Sequence, residues 1–269
     1  MLAGGRHRTR VRSRGPLVLC YHSVSDGWPD PLAVPPQAFE QQLRTVLRRG
    51  FRSVPTDEVL HRAGRVFHVT FDDAYRSVLD VVPKLERLGA HATVFACTGY
   101  AADGRPLLIR ELAARAVGYE DELSTMTWDE LRGAAERGVE IGSHTIGHVH
   151  LPDLSDAEVR RELHESREQI ADELGRPCRF LAYPFGESDD RVHAAARQAG
   201  YDAAFSLRPN PSATMDRYAV PRVDIYRRDG PLRFLVKTSS LRERLTRAGG
   251  LRPGRAAHRH GRTTPSGPP

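Results

Sequence analysis

Two short segments of this 269-residue chain carry side chains whose types and spacing could do hydrolytic chemistry: TFDD at 70–73 and SHTIGHVH at 143–150. His144 and His148 are four residues apart, and on one helical turn that spacing puts both imidazoles on a single face, close enough to share one ion. A third ligand must come from elsewhere. The Asp72–Asp73 pair is the obvious donor, because two carboxylates closing an apolar run are costly to bury unless something positive holds them. Neighbouring strand residues point to opposite faces, so both carboxylates enter one site only if the strand ends at Phe71 and the backbone turns. One could then bind the ion while the other faces its water as general base. Two histidines and a carboxylate leave positions open for water and substrate. A bound ion can lower the pKa of water from about 15.7 towards 7 and polarise an acyl oxygen. Either segment alone is a weak signal, since HxxxH is common and paired aspartates often cap helices. Together, at the ends of two separate strands, they point to a metal site.

The elements that must position these residues alternate short apolar runs with helical patterns. LVLCYHSV (17–24), FRSV (51–54), VFHVTF (66–71), ATVFAC (92–97), VEIGS (139–143), RFLAYPFG (179–186), YDAAFSL (201–207) and AVPRVDIY (219–226) read as strands. Between them, residues 38–50, 56–63, 74–88, 127–138, 155–174, 191–200 and 230–245 read as helices. Thr56 and Thr127 are expected caps, and Ser155 with Glu158 forms a capping box. Residues 99–125 are less regular and read as an insertion. Repeated strand–helix units over about 230 residues suggest parallel strands with helical crossovers. The class is α/β, and a barrel is favoured over an open sheet because His22, Asp72, His144 and Tyr183 all fall at strand ends, where barrel sites gather.

TFDD, then HTIGH some seventy residues on, then YPFG, resembles the NodB-type polysaccharide deacetylases, carbohydrate esterase family 4. The likeness spans roughly residues 16–240. LCYHSV, GYDAAFSL and PRVDI resemble especially the branch that deacetylates poly-N-acetylglucosamine exopolysaccharides. The resemblance implies a distorted (β/α) barrel, a divalent metal, most often zinc, and a carbohydrate substrate. It implies Asp72 as general base and Asp73, His144 and His148 as metal ligands. Thr145 is expected to pack or hydrogen-bond within the metal loop. In YPFG, Phe185 would offer its backbone N–H to the developing oxyanion, a role open to any residue because the donor is main chain. Tyr183, Pro184 and His150 are candidates for lining the substrate cleft, with packing in the core the other reading open for Tyr183. Two departures stand out. Many members place an arginine two residues before the proline to orient the base, and here that position is Ala182; Arg179 would face the other side of the strand. Many members also carry a late Leu-His pair as general acid, and none follows residue 210. His22 is the candidate acid instead. Arg222 and Asp224 could orient the base or simply pair with each other.

Composition bounds the rest. Hydrophobic residues at 39% supply a sizeable core. The three cysteines, Cys20, Cys97 and Cys178, have no CxxC spacing and suggest neither a disulfide framework nor a cysteine zinc site. The net charge of +6 is concentrated in Arg-rich ends. Residues 1–15 read as a basic flexible segment, 16–243 as the deacetylase domain and 244–269 as an Arg/Gly/Pro-rich tail. No aromatic residues interleave with those arginines, so no nucleic acid is expected, although the tails could touch an anionic membrane surface. The apolar run PLVLCY is too short for an export signal and His22 interrupts it, so a cytoplasmic chain is expected unless translation starts upstream. Two other readings compete with polymer deacetylation. One is a deacetylase or deformylase of a small or lipid-linked amino sugar. The other is a non-catalytic carbohydrate-binding barrel, against which a complete set of aspartates and histidines argues.

Overall fold

Strands covered on both faces are predominantly apolar along their length. LVLCY, VFHVTF, ATVFA and AAFS have every residue buried, and their polar side chains His68, Thr70, Thr93 and Ser206 are hydrogen-bonded. The computed structural model describes residues 16–61, 64–207 and 216–239. Along the chain come β1 (Leu17–Tyr21), α1 (Pro36–Arg48), β2 (Arg52–Ser53), α2 (Thr56–His61), β3 (Val66–Phe71), α3 (Val82–Leu88), β4 (Ala92–Ala96) and α4 (Arg110–Ala116). Then follow α5 (Trp128–Glu136), β5 (Glu140–Ser143), α6 (Asp156–Leu174), β6 (Phe180–Ala182), α7 (Asp190–Gln198), β7 (Ala203–Ser206), β8 (Val220–Pro221), β9 (Val223–Asp224) and α8 (Pro231–Lys237). The strand order is β8-β7-β6-β5-β4-β3-β1-β9, with β2 also on β3, and all named pairs are parallel.

The segment read as one strand over 219–226 is two. β8 pairs with β7 and β9 pairs with β1, and only Arg222 separates them. The chain thus crosses from one sheet edge to the other at a single residue, leaving a nearly closed barrel of the expected (β/α) type. Residues alternate between two apolar groups. Val18, Phe95, Phe180, Ala182, Phe205 and Val220 pack together inside, while Leu19, Phe71, Val94, Leu181 and Tyr183 join the larger core shared with the helices. Gly142 is an inward position that tolerates no side chain, since a Cβ there would lie 2.6 Å from the Phe95 ring.

Local signals set most helix ends. Thr127 and Ser155 both form capping boxes, with Glu130 and Glu158. The expected helix over 74–88 divides into a 3-10 turn at Arg76–Val81 and α3. Pro83, lacking an N–H, sits in the first turn of α3, where that lack is harmless. Thr56 caps nothing: it lies inside α2, and its hydroxyl turns inward to Thr93 Oγ1 at 2.8 Å. The insertion contains α4 between 3-10 turns. The last helix ends at Lys237, short of the expected 245, and both basic tails lie outside the described residues. Among the described residues no helix is long and apolar enough to cross a membrane.

Candidate active site and metal centre

Inward-facing positions of β3 run His68, Thr70, Asp72, each buried. Asp72 still belongs to the ladder, its N–H reaching Tyr21 O at 2.9 Å. Asp73 would point the other way in a continuing strand. Its backbone instead adopts φ 68°, and Ala74 follows at 51°, so the chain reverses and both carboxylates end on one side. The histidine segment is bent likewise, with φ 69° at Thr145 and 54° at His148. Phe185, in the turn after β6, has φ 59°. These five are the positive-φ non-glycine residues among those described. Left-handed backbone costs such residues about 1–3 kcal/mol each and persists only where the surroundings over-determine it.

The bends bring Asp73, His144 and His148 together, with ligand-type atoms all within 4.8 Å of one another. Asp73 Oδ1 lies 3.2 Å from His148 Nε2 and 3.5 Å from His144 Nε2. His144 Nδ1 sits 2.8 Å from Ala182 O. A carbonyl only accepts, so Nδ1 carries the proton and Nε2 of a neutral ring presents a lone pair. Burial pushes the His144 pKa down to about 4, against the pull of Asp72, so the ring is neutral near pH 7. Its lone pair therefore faces Asp73 Oδ1, which is buried and without a hydrogen-bond partner among the described residues. A neutral imidazole nitrogen, a second imidazole and an unpartnered carboxylate oxygen form the donor set a divalent cation requires. The residues fit the group.

Beside this triad stands Asp72. Arg222 forks onto it, Nη1 to Oδ1 at 2.6 Å and Nη2 to Oδ2 at 2.8 Å. Burial alone would raise the Asp72 pKa, but the Arg222 charge, helped by His144, holds it well below the usual carboxylate range. Of the two options open for it in the sequence, Arg222 reaches Asp72 rather than Asp224. The latter accepts from the Tyr226 hydroxyl at 2.9 Å. Arg179 pairs with Asp202 at 2.7 Å and takes no part. Cys20 Sγ lies 3.5 Å from Asp72 Oδ2, and burial keeps its thiol protonated. Cys20, His22 and Asp72 form a second group with ligand-type atoms within 4.8 Å of one another. His22 therefore stands next to Asp72, with its Nδ1 buried and without a partner among the described residues.

The Phe185 ring meets His148 edge-on at 4.5 Å and stacks on His150 at 3.8 Å between centroids. His150 also reaches Glu187 Oε2 at 3.0 Å and Glu111 Oε1 at 3.4 Å, tying the insertion to the turn after β6. Pro184 is buried in that turn. Tyr183 requires a correction. It is fully buried in the core between strands and helices and its hydroxyl donates to Tyr218 O at 3.0 Å, so it faces outward from the barrel and does not line the cleft. Alternation is the reason, since Phe180 and Ala182 point inward. Thr145 accepts from His148 N–H at 3.2 Å. Glu162, absent from the sequence candidates, is buried behind the histidine turn. Its signal was a carboxylate inside the buried stripe of α6, among Val159, Leu163 and Ile170.

The sequence model of the polysaccharide deacetylase family matches residues 61–204, just over half of the chain. A Bacillus subtilis (strain 168) protein, YxkH, whose name assigns it to the polysaccharide deacetylases, is 25% identical over 218 residues, covering 77% of this chain and 70% of the relative. Among solved structures, the Streptococcus pyogenes deacetylase PplD in complex with acetate superposes with a TM-score of 0.70 at 22% identity, over 84% of this chain and 99% of that one. IcaB from Ammonifex degensii gives a TM-score of 0.70 at 24% identity, over 84% and 97%. At these identities the two structures share the fold.

Proposed function

The chain belongs to the polysaccharide deacetylase family, and from that premise we propose that it is a metal-dependent hydrolase removing N-acetyl groups from an N-acetylglucosamine-containing polysaccharide. One observation carries the reading: Asp73, His144 and His148 converge beside an ion-paired Asp72. The acetate held by the similar PplD structure supports an acyl product of that size.

Asp73, His144 and His148 would hold the divalent ion, with zinc the choice that best suits two imidazoles and a carboxylate. When bound, such an ion supplies Lewis acidity towards water and the acyl oxygen. Asp72 is the general base. Arg222 keeps it anionic and fixes its orientation, while Oδ2, the oxygen nearer His144 at 4.0 Å, takes the proton of the attacking water. The Phe185 N–H would donate to the oxyanion, and the left-handed turn at that residue sets its direction. His22, adjacent to Asp72, would protonate the departing amine. His150, its side chain about a third exposed (34%), is the candidate for touching the sugar at the rim.

The test is acetate release from chitin oligomers by purified protein, with and without a chelator. Acetate that disappears on chelation and returns with zinc supports the reading. Acetate release indifferent to the chelator, or none with metal restored, contradicts it.

A further inference from the structure

His144 and His148 are held by different means. His144 extends strand β5, its N–H on Ala96 O at 2.8 Å and its ring on Ala182 O. His148 lies beyond the strand, at the far end of a turn with left-handed backbone at Thr145 and at His148 itself. Something outside the turn must keep that geometry, because a free four-residue turn would relax towards right-handed backbone.

On one side the turn's carbonyls are gripped by backbone: Thr98 N–H reaches Thr145 O at 3.1 Å and Gly99 N–H reaches Ile146 O at 3.0 Å. Gly99 allows this approach, since a Cβ there would lie 2.8 Å from Ile146 O. On the other side the turn's N–H groups converge on one atom. Glu162 Oε2 accepts from Ile146 N–H at 2.9 Å and from Gly147 N–H at 3.1 Å. Glu162 is itself only 6% exposed and stands on the 19-residue helix α6, with capping box and left-handed Gly175 at its ends. Below it, Ser166 Oγ donates to Glu162 O at 2.6 Å and meets Ser143 Oγ at 2.8 Å, at the end of β5. Helix α6 thus braces the histidine turn through Glu162 and the end of β5 through Ser166.

We propose that Glu162 is a positioning residue that holds His148 in place to bind the metal; the inference rests on the reading of Asp73, His144 and His148 as ligands. Charge-assisted hydrogen bonds from two consecutive N–H groups make a stiff clamp. Groups that hydrogen-bond a metal ligand directly are worth about 10–100-fold in metal affinity, and Glu162 acts on the backbone that carries one such ligand. Glu162→Ala removes the acceptor, whereas Glu162→Gln keeps an oxygen in the same place without the charge.

Each variant is made in the wild-type and in the His148→Ala background. Zinc affinity is measured by competition with a chromogenic chelator, and amide exchange of Ile146 and Gly147 is followed in metal-free protein. Glu162→Ala is expected to speed exchange at both amides and to weaken zinc binding by about 10–100-fold, with Glu162→Gln intermediate. In the His148→Ala background neither substitution should weaken zinc further. The inference is overturned if exchange is unchanged in Glu162→Ala, or if the affinity loss is the same in both backgrounds, which would mark a general structural effect. Should Glu162→Ala fail to fold, the Glu162→Gln pair of backgrounds decides by the same criterion. A wild type that binds no zinc while Glu162→Ala still speeds turn exchange would instead sink the ligand assignment and leave the clamp standing without its metal role.

Discussion

Replacing Arg222 with Met should destabilise the protein, and more so at neutral than at acid pH. Arg222 and Asp72 are each 2% exposed and are joined by two short hydrogen bonds. Removing one partner of such a pair leaves a buried, uncompensated charge, at about 3–5 kcal/mol. For a chain of this size that is a fall in Tm of roughly 6–20 °C. The pH dependence follows from the direction of the Asp72 shift. With Arg222 present the folded pKa is depressed, so the stabilisation is present above the unfolded value of about 3.9 and fades only as pH falls through the folded one. Without Arg222, burial dominates and the folded pKa moves above the unfolded value, so the variant gains stability relative to wild type on acidification towards about pH 4. Adding Asp72→Asn should recover most of the loss and flatten this dependence. Urea unfolding by circular dichroism across that range measures all three proteins. An Arg222→Met protein within about 0.5 kcal/mol of wild type at pH 7, the scale of an ordinary surface change, would refute the reasoning. So would a deficit that does not shrink at low pH.

Other outcomes follow from the same geometry. Asp72→Asn should lower turnover by about 10²–10⁴-fold while zinc affinity is unchanged, whereas His148→Ala should lower both, leaving the weaker zinc affinity that Asp73 and His144 alone retain; equal zinc loss in the two variants would merge roles kept apart here. His68 lies inside the barrel, 2.8 Å from Val54 O and from Thr93 Oγ1, and burial pushes its pKa down to about 4. Its folded pKa is below the unfolded value, so it withdraws stability as pH falls from about 6.5 to 4, to a total of roughly 3 kcal/mol. His68→Gln should unfold with a shallower acid dependence in that window, and identical slopes would show that His68 titrates without consequence.

What could be read from the sequence was whatever depends on near neighbours. Capping at Thr127 and Ser155 involves a partner three residues away, and the strands announce themselves by apolar runs that two-sided burial requires. The pairing of TFDD with HTIGH was legible because both segments put charged or ligating groups at strand ends. Interactions across the barrel were not. Arg222 reaches a carboxylate 150 residues earlier, and nothing local distinguishes that from pairing with Asp224 two positions on. The left-handed turns at Thr145 and Phe185 lie on residue types that do not advertise positive φ, so only the packing around them imposes it. Tyr183 was readable and misplaced: alternation from Phe180 and Ala182 sends it outward. Glu162 was readable too, as a carboxylate in the buried stripe of α6, where an isolated charge would be costly without partners.

The central claim is that Asp73, His144 and His148 surround one cation. Zinc-edge anomalous diffraction from crystals of the zinc-loaded protein tests it most directly. A single strong peak among Asp73 Oδ1, His144 Nε2 and His148 Nε2 is the expected result. An empty map there, or a peak only among Cys20, His22 and Asp72, would contradict it.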